Sequence, residues 1–180
     1  PKGGFAIGGY GTTKGKEEEY LRVTRDSTRV YVNESAKANS GGFAIGGLGA
    51  VPGSVTPFTS LTPENYFIGQ KSGIKNTTGI HNSFMGFEAG INNTTGRKNV
   101  FLGYQAGMSN DTASYNVFIG NEAGNSNSYG RFNTFLGYQS GWSNFDADNN
   151  VLLGYKAGYT NNGENNVFLG VESGFSNNTG

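Results

Sequence analysis

The 180-residue sequence contains no cysteine, which excludes a disulfide framework, a thiolate metal site and a cysteine nucleophile. It has one histidine, His81, so a histidine metal cluster is excluded and a Ser-His-Asp triad is disfavoured. His81 falls in a turn between repeats and reads as an exposed turn residue. Thirteen basic and thirteen acidic residues cancel to a formal net charge of zero, which removes the usual electrostatic footprint of a nucleic-acid or anionic-membrane binder. No stretch approaches the roughly 18 apolar residues that cross a bilayer, and no charged-then-apolar leader follows Pro1. Hydrophobic residues make up only 34% of the chain, too few for the single compact core expected at this length.

What is abundant is glycine, with 31 residues, and asparagine, with 23. These residues reach positive φ most easily, so their density implies either closely packed turns or disorder. An aromatic content of 13% argues against disorder, because disordered chains are poor in the side chains that offset chain entropy by burial.

The aromatics recur at fixed places. From Asn65 onward the chain reads NYFIGQKSG, NSFMGFEAG, NVFLGYQAG, NVFIGNEAG, NTFLGYQSG, NVLLGYKAG and NVFLGVESG, starting at Asn65, Asn82, Asn99, Asn116, Asn133, Asn150 and Asn166. The spacing is 17 residues five times and then 16. Counting from the opening asparagine, position 3 is Phe (Leu152 once), position 4 is aliphatic or Met, positions 5 and 9 are Gly, position 8 is Ala or Ser, and position 12 is Asn. Such a unit predicts strand, glycine turn, strand, asparagine turn. Seventeen residues hold two short strands and two corners but not a strand, a helix and two loops. The expected fold is an all-β parallel roll or solenoid of about 17-residue coils. Stacked at ~4.8 Å, seven coils make a rod of roughly 30 Å. The asparagines would form in-register amide ladders, which gives the Asn-x-Thr matches at Asn76, Asn93 and Asn110 a structural origin.

Positions 3 and 4 are neighbours on a strand and point to opposite faces, yet both are large and apolar in every copy, as in Phe67 with Ile68 and Phe101 with Leu102. A two-sheet roll buries one of the two rows. The other would lie exposed as a long stripe, which predicts a symmetric oligomer with its axis along the rod.

Residues 1–64 read as a separate N-terminal region ahead of the 65–180 array. GGFAIGG occurs at Gly3 to Gly9 and Gly41 to Gly47, as two isolated coils of the same general kind. Between them, residues 17–34 alternate as a β-hairpin, with Leu21 and Val23 on one arm, Arg25-Asp26-Ser27 at the turn and Val30 and Val32 on the return. Residues 48–64 carry Pro52, Pro57 and Pro63 without clear periodicity and read as a connector.

The unit N-V-F-L-G-x-x-A/S-G resembles the N-S-V-A-I-G-x-x-S repeat of YadA-type trimeric autotransporter adhesin heads, with Phe5 to Gly8 and Phe43 to Gly46 matching its V-A-I-G core. It is also similar to NTxxGYQAL repeats in phage tail-fibre and endosialidase-chaperone-bearing proteins. The resemblance implies a left-handed parallel β-roll, a homotrimer around one axis, and display on a bacterial surface or virion. The unit is longer than in adhesin heads and carries Phe where they use small residues. Because the chain stops at Gly180 inside a repeat, it is expected to be a segment of a longer protein whose signal and outer-membrane anchor lie elsewhere.

Little in the sequence points to catalysis, and no catalytic, cofactor or metal residue is assigned. Position 7 mixes Glu88, Glu122 and Glu172 with Gln105, Gln139, Lys71 and Lys156, a solvated polar row and not the carboxylate pair a glycan hydrolase needs. Asp in the array is limited to Asp111, Asp146 and Asp148, too sparse for a calcium-binding roll. GGFAIGG lacks the glycine order and the following helix of a dinucleotide fingerprint. The aromatics at positions 6 and 10, including Phe87, Tyr104, Tyr138, Trp142, Tyr155, Tyr159 and Phe175, suit packing between coils or chains better than a sugar- or protein-binding strip. The expected function is therefore a non-enzymatic, extracellular adhesin head or stalk segment that contacts host matrix protein or glycan as a virulence factor. The alternative is a structural spacer of a tail fibre or surface appendage.

Overall fold

The computed structural model describes residues 5–10, 17–23, 28–30, 43–48 and 55–177, with side chains from Thr59 onward. The chain divides into two compact units, Pro1–Phe43 and Ala44–Gly180. In the first, strands β1 (Phe5–Tyr10), β2 (Glu17–Val23) and β3 (Thr28–Val30) form an antiparallel sheet in that order. Leu21 faces Val30 and Val23 faces Thr28 across β2 and β3; the hairpin turn and Val32 lie outside the described residues. The first GGFAIGG island differs from expectation. Its strand β1 runs antiparallel to β2, Phe5 opposite Val23, with a register shift between Ile7 and Gly8, so it is not a parallel coil. The charged, alternating β2 offers an adjacent partner in sequence, and antiparallel pairing needs only a short connection.

The second unit is built on a nine-stranded sheet. Strands β4 (Phe43–Leu48) and β5 (Val55–Leu61) stand at one end, followed by β6 (Asn65–Ile68), β7 (Asn82–Met85), β8 (Val100–Leu102), β9 (Val117–Ile119), β10 (Thr134–Leu136) and β11 (Val151–Leu153). Short β12 (Thr160–Asn161) pairs in parallel with β14 (Ser176–Asn177), and β13 (Val167–Leu169) completes the main sheet. From β6 to β13 every pairing is parallel and joins equivalent positions, as in Phe84 with Phe101 and Phe101 with Phe118. The array is thus a parallel β-solenoid of seven coils. The segment expected to be a plain connector supplies β5, which runs antiparallel to β6 with Ser60 opposite Phe67. Val55, Thr56, Phe58 and Thr59 are strong strand formers, and at the end of a sheet they need no alternation. With β4 beside it, β5 closes the edge that the first coil would otherwise leave open.

One regular strand per coil is the rule. The expected second strand appears only as β12 and β14; elsewhere positions 6–12 form stacked turns. Position 7 adopts left-handed φ between 51° and 61°, from Lys71 to Glu172, and the residue before each opening asparagine from Asn82 onward is also left-handed, with φ between 55° and 64°, as at Tyr115 and Phe132. These two corners bend each coil back on itself.

Inside, Phe67, Phe84, Phe101, Phe118 and Phe135 stack with centroids 4.6–5.0 Å apart and planes within 14° of parallel. The separation follows from the inter-strand spacing. Leu152 continues the file fully buried, and Phe168 packs on it partly buried. Opposite lie Ala89, Ala106, Ala123 and Ala157 at position 8, with Ser140 in the same place donating to the Leu152 carbonyl at 2.8 Å. The two invariant glycines have different causes. At position 5, Gly103 has φ 140°, and a Cβ there would lie 2.4 Å from the Gly120 carbonyl oxygen of the next coil. At position 9, Gly107 has φ 58°, and a Cβ would meet the Phe101 ring of its own coil at 2.6 Å.

Two asparagine ladders complete the interior. The position 1 amide donates across its own coil, as from Asn116 to the Gly130 carbonyl at 2.8 Å, and its oxygen accepts the backbone N–H of the next opening asparagine, here Asn133 at 2.9 Å. At position 12, Asn110 donates to Asn93 Oδ1 at 2.7 Å and to its own coil's Ala113 carbonyl at 3.1 Å. Each amide satisfies buried backbone that would otherwise cost about 1–3 kcal/mol. The 16-residue coil is the exception. One residue shorter between Asn161 and the next opening asparagine, it leaves Asn150 Nδ2 buried without a partner, while Asn161 donates two residues on, to Gly163, at 2.9 Å.

Candidate functional site

Because strand residues alternate, burying position 3 turns positions 2 and 4 outward. The file at position 4 runs Ile68, Met85, Leu102, Ile119, Leu136, Leu153 and Leu169, and none of the seven is buried. Position 2 adds Tyr66, Val100, Val117, Val151 and Val167. Flanking files come from the turns: Phe87, Tyr104, Tyr138, Tyr155 and Val171 at position 6, and Tyr115 with Phe132 ahead of the opening asparagines. Of the eighteen large apolar side chains exposed among the described residues, fourteen fall in these four files. Six inter-coil steps long and about six residues wide, the face covers ~600 Å². That lies at the upper limit of apolar patches on monomeric proteins.

The aromatic rings on this side present edges. Phe87 stacks on Tyr104 at 5.6 Å, Tyr138 on Tyr155 at 5.5 Å, and Tyr115 on Phe132 at 4.9 Å. At position 10, Trp142, Tyr159 and Phe175 form a further stack at 5.3 and 5.0 Å. Rings stacked along the rod each turn a face to the ring of the neighbouring coil. The sequence expectation of packing between coils holds for these residues.

Position 7 is a polar ladder in which neighbours complement each other. Lys71 pairs with Glu88 at 3.0 Å, Gln105 donates to the other Glu88 oxygen at 2.8 Å, and Gln139 donates to Glu122 at 2.6 Å. The Gln105 hydrogen bond, then that of Lys71, holds the Glu88 carboxyl below its ordinary range. On the same row, Lys156 is raised, chiefly by its hydrogen bond with Tyr155, and its Nζ lies 5.2 and 5.4 Å from the Tyr155 and Tyr159 rings.

Most of the remaining residues singled out in the sequence have structural partners, and Asp146 is exposed. His81 sits exposed in a turn at φ 62° and donates its N–H to the Glu64 carbonyl at 2.6 Å. Asp111 accepts from the Thr94 hydroxyl, and Asp148 accepts the Arg131 N–H at 2.6 Å. Asn93 and Asn110 are fully buried within the ladder. No group of three acidic or histidine side chains placed to hold a metal occurs among the described residues.

The architecture defines the class of protein: a parallel β-solenoid whose repeat lays one apolar file inside the rod and another along its outer sheet face. No protein-family model matches the chain, and comparison with curated proteins and with solved structures finds no significant match.

Proposed function

We propose that this chain is a non-enzymatic rod segment of an extracellular adhesin or fibre, assembled as a homotrimer about an axis parallel to the rod. The observation that carries this reading is the unbroken outward file from Ile68 to Leu169. The file repeats at the coil pitch, and a second copy of the same rod has the same pitch, so every step can be matched along the whole length. A partner without that period meets the file only in places. Coaxial packing of three copies buries all three faces at once and leaves the position 7 row and the asparagine corner outward. The proposal follows the adhesin-head resemblance in taking the roll as left-handed and the protein as displayed on a bacterial surface, through an outer-membrane anchor, or on a virion. Repeated shallow contacts with matrix protein or glycan along the trimer would gain strength through multivalency.

A second reading, a fibre spacer with no ligand of its own, is favoured by one observation. The side chains most regular in the repeat, Asn and Phe, are spent on neighbouring coils, as are the stacked outer aromatics. Light scattering on the purified chain tests the assembly. The mass is expected at three times the 19.0 kDa of the monomer and returns to one chain in the Leu102→Lys, Leu136→Lys double variant with its fold retained; a monomeric parent protein refutes it. Binding of the trimer to immobilised matrix proteins or glycans separates adhesin from spacer.

A further inference from the structure

Among the described residues, each tyrosine in ring contact meets Phe or Trp, with one exception. Tyr104 lies on Phe87, Tyr115 on Phe132, Tyr129 edge-on to Phe145, and Tyr159 between Trp142 and Phe175. Only Tyr138 and Tyr155 meet each other, with planes 10° from parallel and centroids 5.5 Å apart. Both residues are 44% exposed, and both occupy position 6 of adjacent coils in the same register. Near-parallel planes at this separation set the two phenol rings beside each other, one coil pitch apart. The coil pitch holds them there.

We propose that Tyr138 and Tyr155 form a site of oxidative coupling, an intramolecular dityrosine that staples the fifth coil to the sixth. The oxidant is hydrogen peroxide acting through a haem peroxidase. Each phenol gives up one proton and one electron, and the peroxide leaves as two waters. The two tyrosyl radicals join through one new ortho carbon–carbon bond. Each joined carbon then returns its hydrogen to its own ring oxygen, which restores two phenols, and the product is two hydrogens lighter than the parent. Pre-stacking removes the diffusional search that coupling of two separate tyrosines requires. A radical on Tyr104, Tyr115 or Tyr159 has no phenol in ring contact to couple with. In a chain without cysteine, the bond closes a loop of one repeat and restricts the unfolded chain as a disulfide does. The proposal stands on the geometry of one chain; because the proposed trimer buries this face, coupling takes place on the single chain before assembly.

The test treats the full chain, as the monomeric Leu102→Lys, Leu136→Lys double variant, with hydrogen peroxide and horseradish peroxidase. Trypsin cuts that variant after position 136 and after Lys156, so both tyrosines fall in peptide 137–156. The expected product is that peptide two hydrogens light, with dityrosine fluorescence and no backbone fragments from between residues 138 and 155. Tyr138→Phe, which keeps the ring and the stack, abolishes it; Tyr104→Phe leaves the yield unchanged. The coupled protein unfolds at a higher temperature than the untreated one. An unshifted peptide from folded protein overturns the proposal, as does coupling found only between two chains, or an equal yield from chain unfolded in urea.

Discussion

Asn116→Ala isolates what the inner amide ladder contributes. Asn116 sits in the middle coil with no exposed surface. Its Oδ1 is the acceptor for the Asn133 N–H at 2.9 Å, and its Nδ2 supplies one of two hydrogen bonds to the Gly130 carbonyl, the other coming from Asn127 at 3.0 Å. Removing the amide leaves the Asn133 N–H buried and unpaired, a loss of about 1–3 kcal/mol, and costs a further ~1 kcal/mol for the weakened carbonyl. The expected total is about 3 kcal/mol, read from guanidinium unfolding followed by far-ultraviolet circular dichroism with the slope unchanged. Asn121→Ala, on an exposed residue of the same coil whose Oδ1 accepts the Tyr104 N–H at 3.3 Å, is expected to cost no more than about 1 kcal/mol, because water replaces that hydrogen bond. Equal losses in the two variants refute the ladder argument. Asn116→Asp adds a pH signature. A buried carboxylate facing the Gly130 carbonyl favours its protonated form, so its folded pKa is raised. The protonated form's stabilisation is present below the unfolded value of about 3.9 and is lost as pH rises through the folded pKa. The Asp variant is therefore expected to be closer to the parent at acid pH than at neutral pH.

Gly103→Ala places a methyl group 2.4 Å from a backbone oxygen that cannot move without shifting the next coil, whereas Gly170→Ala, at a similar positive φ, meets nothing within 4 Å. Gly103→Ala is expected to cost at least about 2 kcal/mol more than Gly170→Ala in equilibrium unfolding, and equal costs would show that backbone angle alone selects glycine here. Glu88 tests the outer polar ladder. Its depressed carboxyl contributes stability above the ordinary carboxylate pKa, and that contribution is lost as pH falls through the folded value. In a carbon-detected NMR titration, Gln105→Ala is expected to move the Glu88 midpoint upward, and an unmoved midpoint removes Gln105 as the main cause.

The sequence carried the array well because its signals are local and repeated. Phe at position 3, glycine at position 5 and asparagine at positions 1 and 12 each answer to a contact with the adjacent coil, and glycine at position 9 answers to the ring of its own coil. What was less legible lies where structure depends on distant partners. Positions 9–12 look like a strand by spacing, but left-handed φ at positions 7 and 9 confines any extended stretch to positions 11 and 12. Only in the last two coils, beside the shortened corner, does that side become β12 and β14. Phe5 and Phe43 sit in identical heptapeptides yet enter different sheets, because a short apolar strand pairs with whatever edge is offered. Which of two adjacent apolar rows faces inward also needed the structure. It is the aromatic row, since small residues at position 8 leave room for a ring.

The direction of the hydrogen bonds between coils has a mechanical consequence. In a solenoid they point along the rod, as do those from Val100 to Asn116 and from Gly103 to Met85. Tension applied along the axis therefore opens them as a zip and not in shear, one coil at a time. Each coil that yields exchanges ~5 Å of rod for about 55 Å of extended chain. Under load the array acts as a stepwise extender, giving way in units set by its 17-residue period while the coils beyond the break stay folded.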